Sequence, residues 1–309
     1  MILCCGESLI DMIPVEKKGG GLAYSPHTGG AVFNTSIALG RLGVTTELFT
    51  GLSSDLFGDQ LRQQLTDNHV SYQHAELTDR PTTLAFVTLE NGSASYFFYD
   101  ENSAGRMISS KFSSGDLLGV DALFFGGISL AVEPCADTYA ELLQEASSDK
   151  FIMLDPNIRI GFIQNERRYR NRLDRIISCS DAIKVSDDDL DWLKPGSASL
   201  EEKVSSLLRD GPDVVFLTKG AKGASAYLKN GLTVDVAGEA VKVVDTVGAG
   251  DTFNAAILSG LERSDFLRKG AILSASADDV NNILAYAAKA AAISVTRAGA
   301  NPPWAKEIM

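Results

Sequence analysis

The stretch Val244-Asp245-Thr246-Val247-Gly248-Ala249-Gly250-Asp251-Thr252-Phe253 carries the sharpest signal in the chain. A strand-like run enters a glycine turn, and a helical pattern continues through Leu258. Gly248 and Gly250 let the backbone approach a ligand closely, and the first turn of the helix offers N–H groups with no intrahelical acceptor. Together they make an anion site built without lysine. Asp251 stands at the mouth of that turn, an unfavourable place for a carboxylate if holding an anion were the whole task. Its position makes sense if it accepts a proton from a hydroxyl that attacks a phosphorus held by those N–H groups. Taken alone, the turn also fits a plain helix start capped by Asp251. Other phosphate loops fit less well: no G-x-x-x-x-G-K-[ST] string occurs, and Phe253 takes the place of the third glycine of G-x-G-x-x-G.

Outward from this turn, short apolar segments alternate with amphipathic ones. Thr46 to Leu52, Asp121 to Phe125, Phe151 to Asp155, Asp181 to Val185 and Asp213 to Thr218 read as strands, with helical stretches between most of them. The alternation predicts an α/β fold with a largely parallel sheet covered by helices. Two segments break it: Met12 to Ser25 and Leu84 to Tyr99 read as hairpins, with turns at Lys17-Lys18-Gly19-Gly20-Gly21 and Glu90-Asn91-Gly92. They are expected to pair into a small second sheet, placed as a lid over a crevice. Asp278 to Thr296, rich in alanine, reads as a closely packed helix, and the Asp187-Asp188-Asp189 run as a helix start.

Composition narrows the function. The 309 residues are 45% hydrophobic and 22% charged, with a net charge of -12, so neither nucleic acid nor an anionic membrane is an expected partner. Met1 to Ile10 reads as an apolar strand without a signal-peptide pattern, and no apolar run approaches the roughly 18 residues of a span. Cys4, Cys5, Cys135 and Cys179 lack metal-ligand spacing and are expected as thiols in a reducing cytoplasm. Only His27, His69 and His74 are present, which disfavours a histidine-rich metal centre, and no G-x-S-x-G elbow occurs. A second glycine cluster, Gly29-Gly30-Ala31-Val32-Phe33-Asn34, precedes a helix through Gly43. Asn34 offers the donor and acceptor that a polyol requires, although a simple loop-to-helix turn would look the same.

The string Asp245-Thr246-x-Gly248-Ala249-Gly250-Asp251 resembles the signature of the ribokinase-like (PfkB) carbohydrate kinases. The resemblance implies a three-layer α/β/α core over 1-11, 26-83 and 100-309 with a β lid of 12-25 and 84-99. It implies Asp251 as catalytic base and the backbone of Gly248, Ala249 and Gly250 as the anion hole around the transferred phosphoryl group. Gly6-Glu7-Ser8-Leu9-Ile10-Asp11 and the Gly-Gly-x-x-x-Asn helix start look like sugar-binding elements, with Asp11, Gly29, Gly30 and Asn34 on the sugar hydroxyls. Gly51-Leu52-Ser53-Ser54-Asp55-Leu56-Phe57-Gly58 matches the family's G-x-x-x-D-x-x-G, so the resemblance spans nearly the whole chain. Asp155-Pro156-Asn157-Ile158-Arg159 resembles its D-x-N-x-R loop, which points Arg159 toward phosphate and sugar.

On the nucleotide side, Lys184-Val185-Ser186-Asp187-Asp188-Asp189 aligns with the family's N-x-x-E motif, here Ser186 and Asp189. Thr218-Lys219-Gly220-Ala221-Lys222-Gly223 resembles the nucleotide loop. Lys184, Ser186, Thr218, Gly220 and Gly223 are therefore the expected nucleotide contacts. ATP and Mg2+ are the implied cofactors, direct metal ligands stay unassigned, and a monovalent cation such as K+ near Asp245 is left open, as is a homodimer through the lid. Within the family, Ala31 replaces a lysine frequent in ribokinases and sugar-phosphate kinases. Tyr96 to Ala104 places Asp100 and Glu101 where keto-acid kinases tend to have arginine, and would repel an anionic substrate. That stretch and the Asp155 loop look most like bacterial fructokinases, which makes fructose the expected acceptor. A ribokinase, a 2-keto-3-deoxygluconate kinase and a non-catalytic sensor on the same fold are the alternatives; a nicotinamide-dependent oxidoreductase is disfavoured by the failed G-x-G-x-x-G.

Overall fold

The computed structural model describes residues 1–16, 21–90, 93–109 and 115–308. Its strands are β1 (Ile2–Cys5), β2 (Leu9–Glu16), β3 (Leu22–Gly29), β4 (Thr46–Phe49), β5 (Gly51–Ser53), β6 (Val70–Ser71), β7 (Glu76–Thr78), β8 (Leu84–Glu90), β9 (Ser93–Tyr99), β10 (Ala122–Gly126), β11 (Phe151–Asp155), β12 (Ala182–Ser186), β13 (Val214–Thr218), β14 (Ala224–Leu228) and β15 (Thr233–Val236). The α-helices are α1 (Ala31–Arg41), α2 (Leu56–Asp67), α3 (Cys135–Ala146), α4 (Glu166–Cys179), α5 (Asp187–Leu193), α6 (Leu200–Asp210), α7 (Ala249–Arg263), α8 (Ala277–Val295) and α9 (Ala305–Ile308).

Nine strands form the main sheet in the order β15-β14-β13-β12-β11-β10-β1-β4-β6, parallel from β13 to β6 and antiparallel at β14 and β15. Its central strands are apolar on both faces because helices cover both. Ile2, Cys4, Phe124, Met153 and Phe216 pack in one core with α1, α2, α7 and α8. Leu3, Cys5, Phe125, Leu154 and Leu217 pack in the other with α3, α4 and α6. The result is the expected three-layer α/β/α arrangement. Helix α7 is buried from Asp251 through Leu261, and Gly260 brings it against Ile283 of α8, where an added Cβ would stand 3.0 Å from the isoleucine.

The small sheet also forms, in the order β3-β2-β8-β9: two antiparallel hairpins joined by a parallel pairing of β2 with β8. The tips read as turns at 17–20 and 91–92 lie outside the described residues. Three expectations need correction. Met1 to Ile10 is not one strand; it breaks at Gly6–Ser8, where the chain leaves the main sheet for the lid. Thr46 to Leu52 likewise divides at Thr50, β4 joining the main sheet and β5 pairing with β7. The approach to Gly248 is irregular, because the N–H groups of Val244 and Asp245 both turn to the Val295 carbonyl rather than to a ladder.

Candidate active site

Open α/β sheets bind ligands beyond the carboxyl ends of their parallel strands. Here that edge and one face of the small sheet border a cleft of about 300 Å³. The main sheet contributes Glu7 after β1, Gly127 and Ile128 after β10, Asn157 and Arg159 after β11, and Lys184 from β12. The lid contributes Leu9, Asp11, Tyr96 and Phe98, and the N-termini of α1 and α7 supply Gly30, Ala31, Asn34, Gly248, Gly250 and Asp251.

Asp251 lies in the first turn of α7, buried, where Asn34 Nδ2 of α1 donates to its Oδ2 over 2.9 Å. Burial pushes its carboxyl up to about 7, opposed by the Asn34 bond and the Lys184 ammonium and reinforced by Asp155 and Glu7. A pKa near neutrality suits a general base. Gly248 adopts the left-handed conformation at φ 77°, and a Cβ there would lie 2.7 Å from the Ala300 methyl. The Ala249 N–H makes a 3.3 Å turn bond to the Thr246 carbonyl. The amides of Gly250 and Asp251 follow in the open first turn, where an α-helix has no acceptors of its own. Asp245 braces the approach, accepting from the N–H groups of Val247 (3.0 Å) and Gly299 (2.8 Å).

Lys184 Nζ is the cation of this end. It donates to Asp155 Oδ2 over 3.0 Å, and a Cβ on Gly250 would stand 3.3 Å from it. Burial works against its charge, but Asp155, Asp189 and Asp251 outweigh that and hold its pKa above the usual lysine value. Asn254, one turn along α7, donates to the same Asp155 oxygen over 2.7 Å and leaves its own Oδ1 without a partner.

At the other end, Asp11 lies across Gly29, whose absent Cβ would fall 2.1 Å from Asp11 Oδ2. Gly29 is thus the seat of Asp11 and not itself a wall of the cleft. Burial raises the Asp11 carboxyl to about 6. Gly30, at φ 106°, packs on the Glu7 carbonyl. Glu7 was no sequence candidate, yet it ties the site together: Oε1 accepts from Ala31 N (2.9 Å), Oε2 from Ser129 N (3.3 Å), and its backbone carbonyl from Phe33 N (3.2 Å). A carboxylate between the buried Cys5 and Leu9 is the one sequence signal that could have found it. Asp155, Asn157, Tyr96 and Phe98 were quoted within motifs without a place in the site.

Ser186, Thr218, Gly220 and Gly223 do not line this cleft. They sit beside it, at the carboxyl ends of β12 and β13, where Ser186 pairs with Thr218. The Ser186 hydroxyl donates to Asp189 Oδ2 over 2.7 Å and caps α5, while Asp189 Oδ1 accepts from Ile158 N over 2.9 Å. Both groups are thus engaged in holding the β11 loop to α5. Gly223, at φ 100°, has structural grounds as well, since a Cβ would meet the Val236 carbonyl at 2.0 Å. Gly220 faces open space. Asp100 is misplaced by the sequence argument: it is buried away from the cleft, accepting from Thr83 Oγ1 (2.8 Å) and Ser103 Oγ (3.0 Å) with Arg106 at 3.7 Å. Glu101 is exposed.

Among the described residues no group of three or more His, Cys, Asp or Glu side chains is set to hold a metal.

Residues 1–307 match the model of the pfkB family carbohydrate kinases. The chain is 46% identical to a fructokinase of Rhizobium leguminosarum bv. trifolii over 286 residues, covering 91% of this chain and 86% of the relative. Its fold is similar to that of the ATP-bound fructokinase of Xylella fastidiosa, with TM-score 0.90 and 26% identity over 99% of this chain and 96% of the other. It is also similar to a double mutant of the Vibrio cholerae O395 fructokinase with fructose, ADP and potassium bound, with TM-score 0.81 and 25% identity over 97% and 93%.

Proposed function

The chain belongs to the pfkB family of carbohydrate kinases, and from that premise we propose that it transfers the γ-phosphoryl group of ATP to the terminal hydroxymethyl of fructose, giving fructose 6-phosphate. The observation that carries this reading is the position of Asp251: a buried carboxylate in the anion-binding turn of α7, hydrogen-bonded to Asn34 from the helix at the sugar end.

In the reaction the sugar hydroxyl stands between Asp251 and the γ-phosphorus. As its oxygen forms the new bond to phosphorus, the bond to the β-phosphate oxygen breaks, the hydroxyl proton passes to an Asp251 carboxylate oxygen, and ADP leaves. Backbone N–H groups of Gly248, Ala249 and Gly250 and the Lys184 ammonium stabilise the charge on the transferred group. Magnesium, when bound with ATP, neutralises the phosphate oxygens. Thr218, Gly220 and Gly223 border the adjacent surface, and the exposed Val241, Val243, Val244 and Val247 offer apolar contact for a base. Asp11, Gly30, Asn34 and Arg159 meet the sugar hydroxyls, with Gly29 supporting Asp11. The stretches 12-25 and 84-99 act as the lid, which excludes water from the phosphoryl donor.

A neutral acceptor is favoured because Asp11 and Glu7 stand in the cleft and Ala31 supplies no cation there. Asp100 plays no part in that argument. Cytoplasmic location is consistent with the buried free thiols of Cys4, Cys5 and Cys135; among the described residues no helix is long and apolar enough to cross a membrane. Self-association would use the outer lid face. Tyr96 and Phe98 face the cleft, so alternation turns the exposed Phe97 and Tyr99 outward. A Phe97→Asp variant that elutes at the parental size would remove this surface from consideration. The central test is kcat/KM for fructose, ribose, fructose 6-phosphate and 2-keto-3-deoxygluconate in one buffer. Fructose is expected to lead, and preference for either anionic acceptor would overturn the substrate while leaving the phosphoryl transfer in place.

A further inference from the structure

Helix α4 carries five arginines, Arg167, Arg168, Arg170, Arg172 and Arg175, against Glu166 and Asp174, in a chain of net charge -12. Arg170 is occupied by Glu166 and stacks 3.6 Å over Trp192. The others border a surface hollow of about 510 Å³ on the far side of the main sheet from α7. Two acids serve two of these cations. Arg168 pairs with Glu133 (2.8 Å) and Asp137 (2.9 Å), and the buried Arg172 pairs with the same two carboxylates. Arg167 and Arg175 are both exposed, and their guanidinium groups make no ion pair or hydrogen bond among the described residues. Arg172, only 1% exposed, is among the residues bordering the hollow and has an Nε–H with no acceptor.

Residues 167, 171 and 175 follow at four-residue spacing, so Arg167, Asn171 and Arg175 stand along one stripe of the helix beside Arg172. The hollow is thus lined by two guanidinium groups without an ion pair and an amide, beside Arg172 with its unpaired Nε–H. Guanidinium forks match phosphate oxygens in number and geometry. We propose that this face of α4 binds a phosphate-bearing small molecule at a site separate from the cleft. The volume exceeds that of orthophosphate and admits a sugar phosphate or a nucleotide. Only Asn165 and two further residues separate the helix from Phe162, whose ring packs edge-on against Phe98 of the lid at 4.7 Å.

The test uses orthophosphate, fructose 6-phosphate and ADP as separate probes on the full chain, with amide exchange followed over 163–175 and binding measured by calorimetry. Protection of this segment is expected with at least one probe, and the probe that binds most tightly distinguishes free phosphate from its esters. In an Arg167→Ala/Arg175→Ala variant that binding should weaken at least tenfold, with kcat/KM for fructose in phosphate-free buffer within about twofold of the parent. Unchanged exchange with all three probes, or equal protection in the variant, would overturn the proposal. Exchange and calorimetry require no turnover, so the binding result is independent of the kinase assignment.

Discussion

Replacing Asp251 by Asn should separate catalysis from stability. The amide keeps the shape of the side chain, and its oxygen can still accept from Asn34, but it cannot take a proton from the sugar hydroxyl. Turnover is expected to fall on the order of a hundredfold or more. The same change removes a buried charge. The Asp251 carboxyl rises from 3.8 to about 7 on folding, chiefly through burial; at ~1.4 kcal/mol per unit, the ionised group costs the fold ~4 kcal/mol above pH 7. The sign follows from proton uptake: between pH 4 and 7 the folded chain holds a proton that the unfolded chain has released, so the parent loses stability as pH rises. The variant lacks that loss. Its stability advantage should be absent below about pH 4, grow through the window, and level off above about pH 7. Urea melts from pH 4.5 to 8.5 beside steady-state kinetics measure both effects, and the parent's kcat/KM should climb with pH toward about 7, as a base of that pKa requires. Turnover within about threefold of the parent would refute the base assignment. Equal melts at every pH would refute the account of a carboxylate held against burial.

Removing the Asn34 donor with Asn34→Ala should move the rising limb of kcat/KM above about pH 7, since that bond lowers the Asp251 pKa; a limb that stays in place would mean the bond is not made in solution. Gly248→Ala forces an L-residue into φ 77° against Ala300 and should cost about 1–3 kcal/mol by urea melting, with kcat reduced more than fructose affinity. Lys184→Met leaves the buried Asp155 without its counter-charge, held only by the neutral donors Asn254 Nδ2 and the Asn157 N–H, and should destabilise by about 3–5 kcal/mol, read as a fall in Tm; parental Tm would show that Asp155 finds another cation.

The anion turn was legible because its parts are consecutive: a left-handed glycine, a second small residue and a carboxylate at a helix start depend on local geometry alone. The sheet was legible for a similar reason, since strands buried on both faces read as apolar runs. What escaped notice depends on distant partners. Glu7 meets Ala31 and Ser129 from separate elements, and Asp155 gains its role only when Lys184 and Asn254 close on it. Asp100 looked like a cleft residue because it follows the lid strand, but the chain turns at that point and the carboxylate points back to Thr83 and Ser103. Glycines of the 218–223 loop carried two meanings at once, and the close approach of Val236 to Gly223 is invisible without the fold.

The small sheet's four strands share one row in register: Thr28 pairs with Ile10, Ile10 with Leu84, and Leu84 with Tyr99. Such a row is a crease. A panel that swung about it would move as a lever. Displacement then grows with distance from the crease, at about 3.3 Å of lever per residue. Asp11 is one residue from the row and Tyr96 three, so a nod of about 10° would carry Tyr96 by about 2 Å and Asp11 by only about 0.6 Å. In such a swing the Asp11 carboxylate would scarcely shift, and the Tyr96 ring would travel the further of the two.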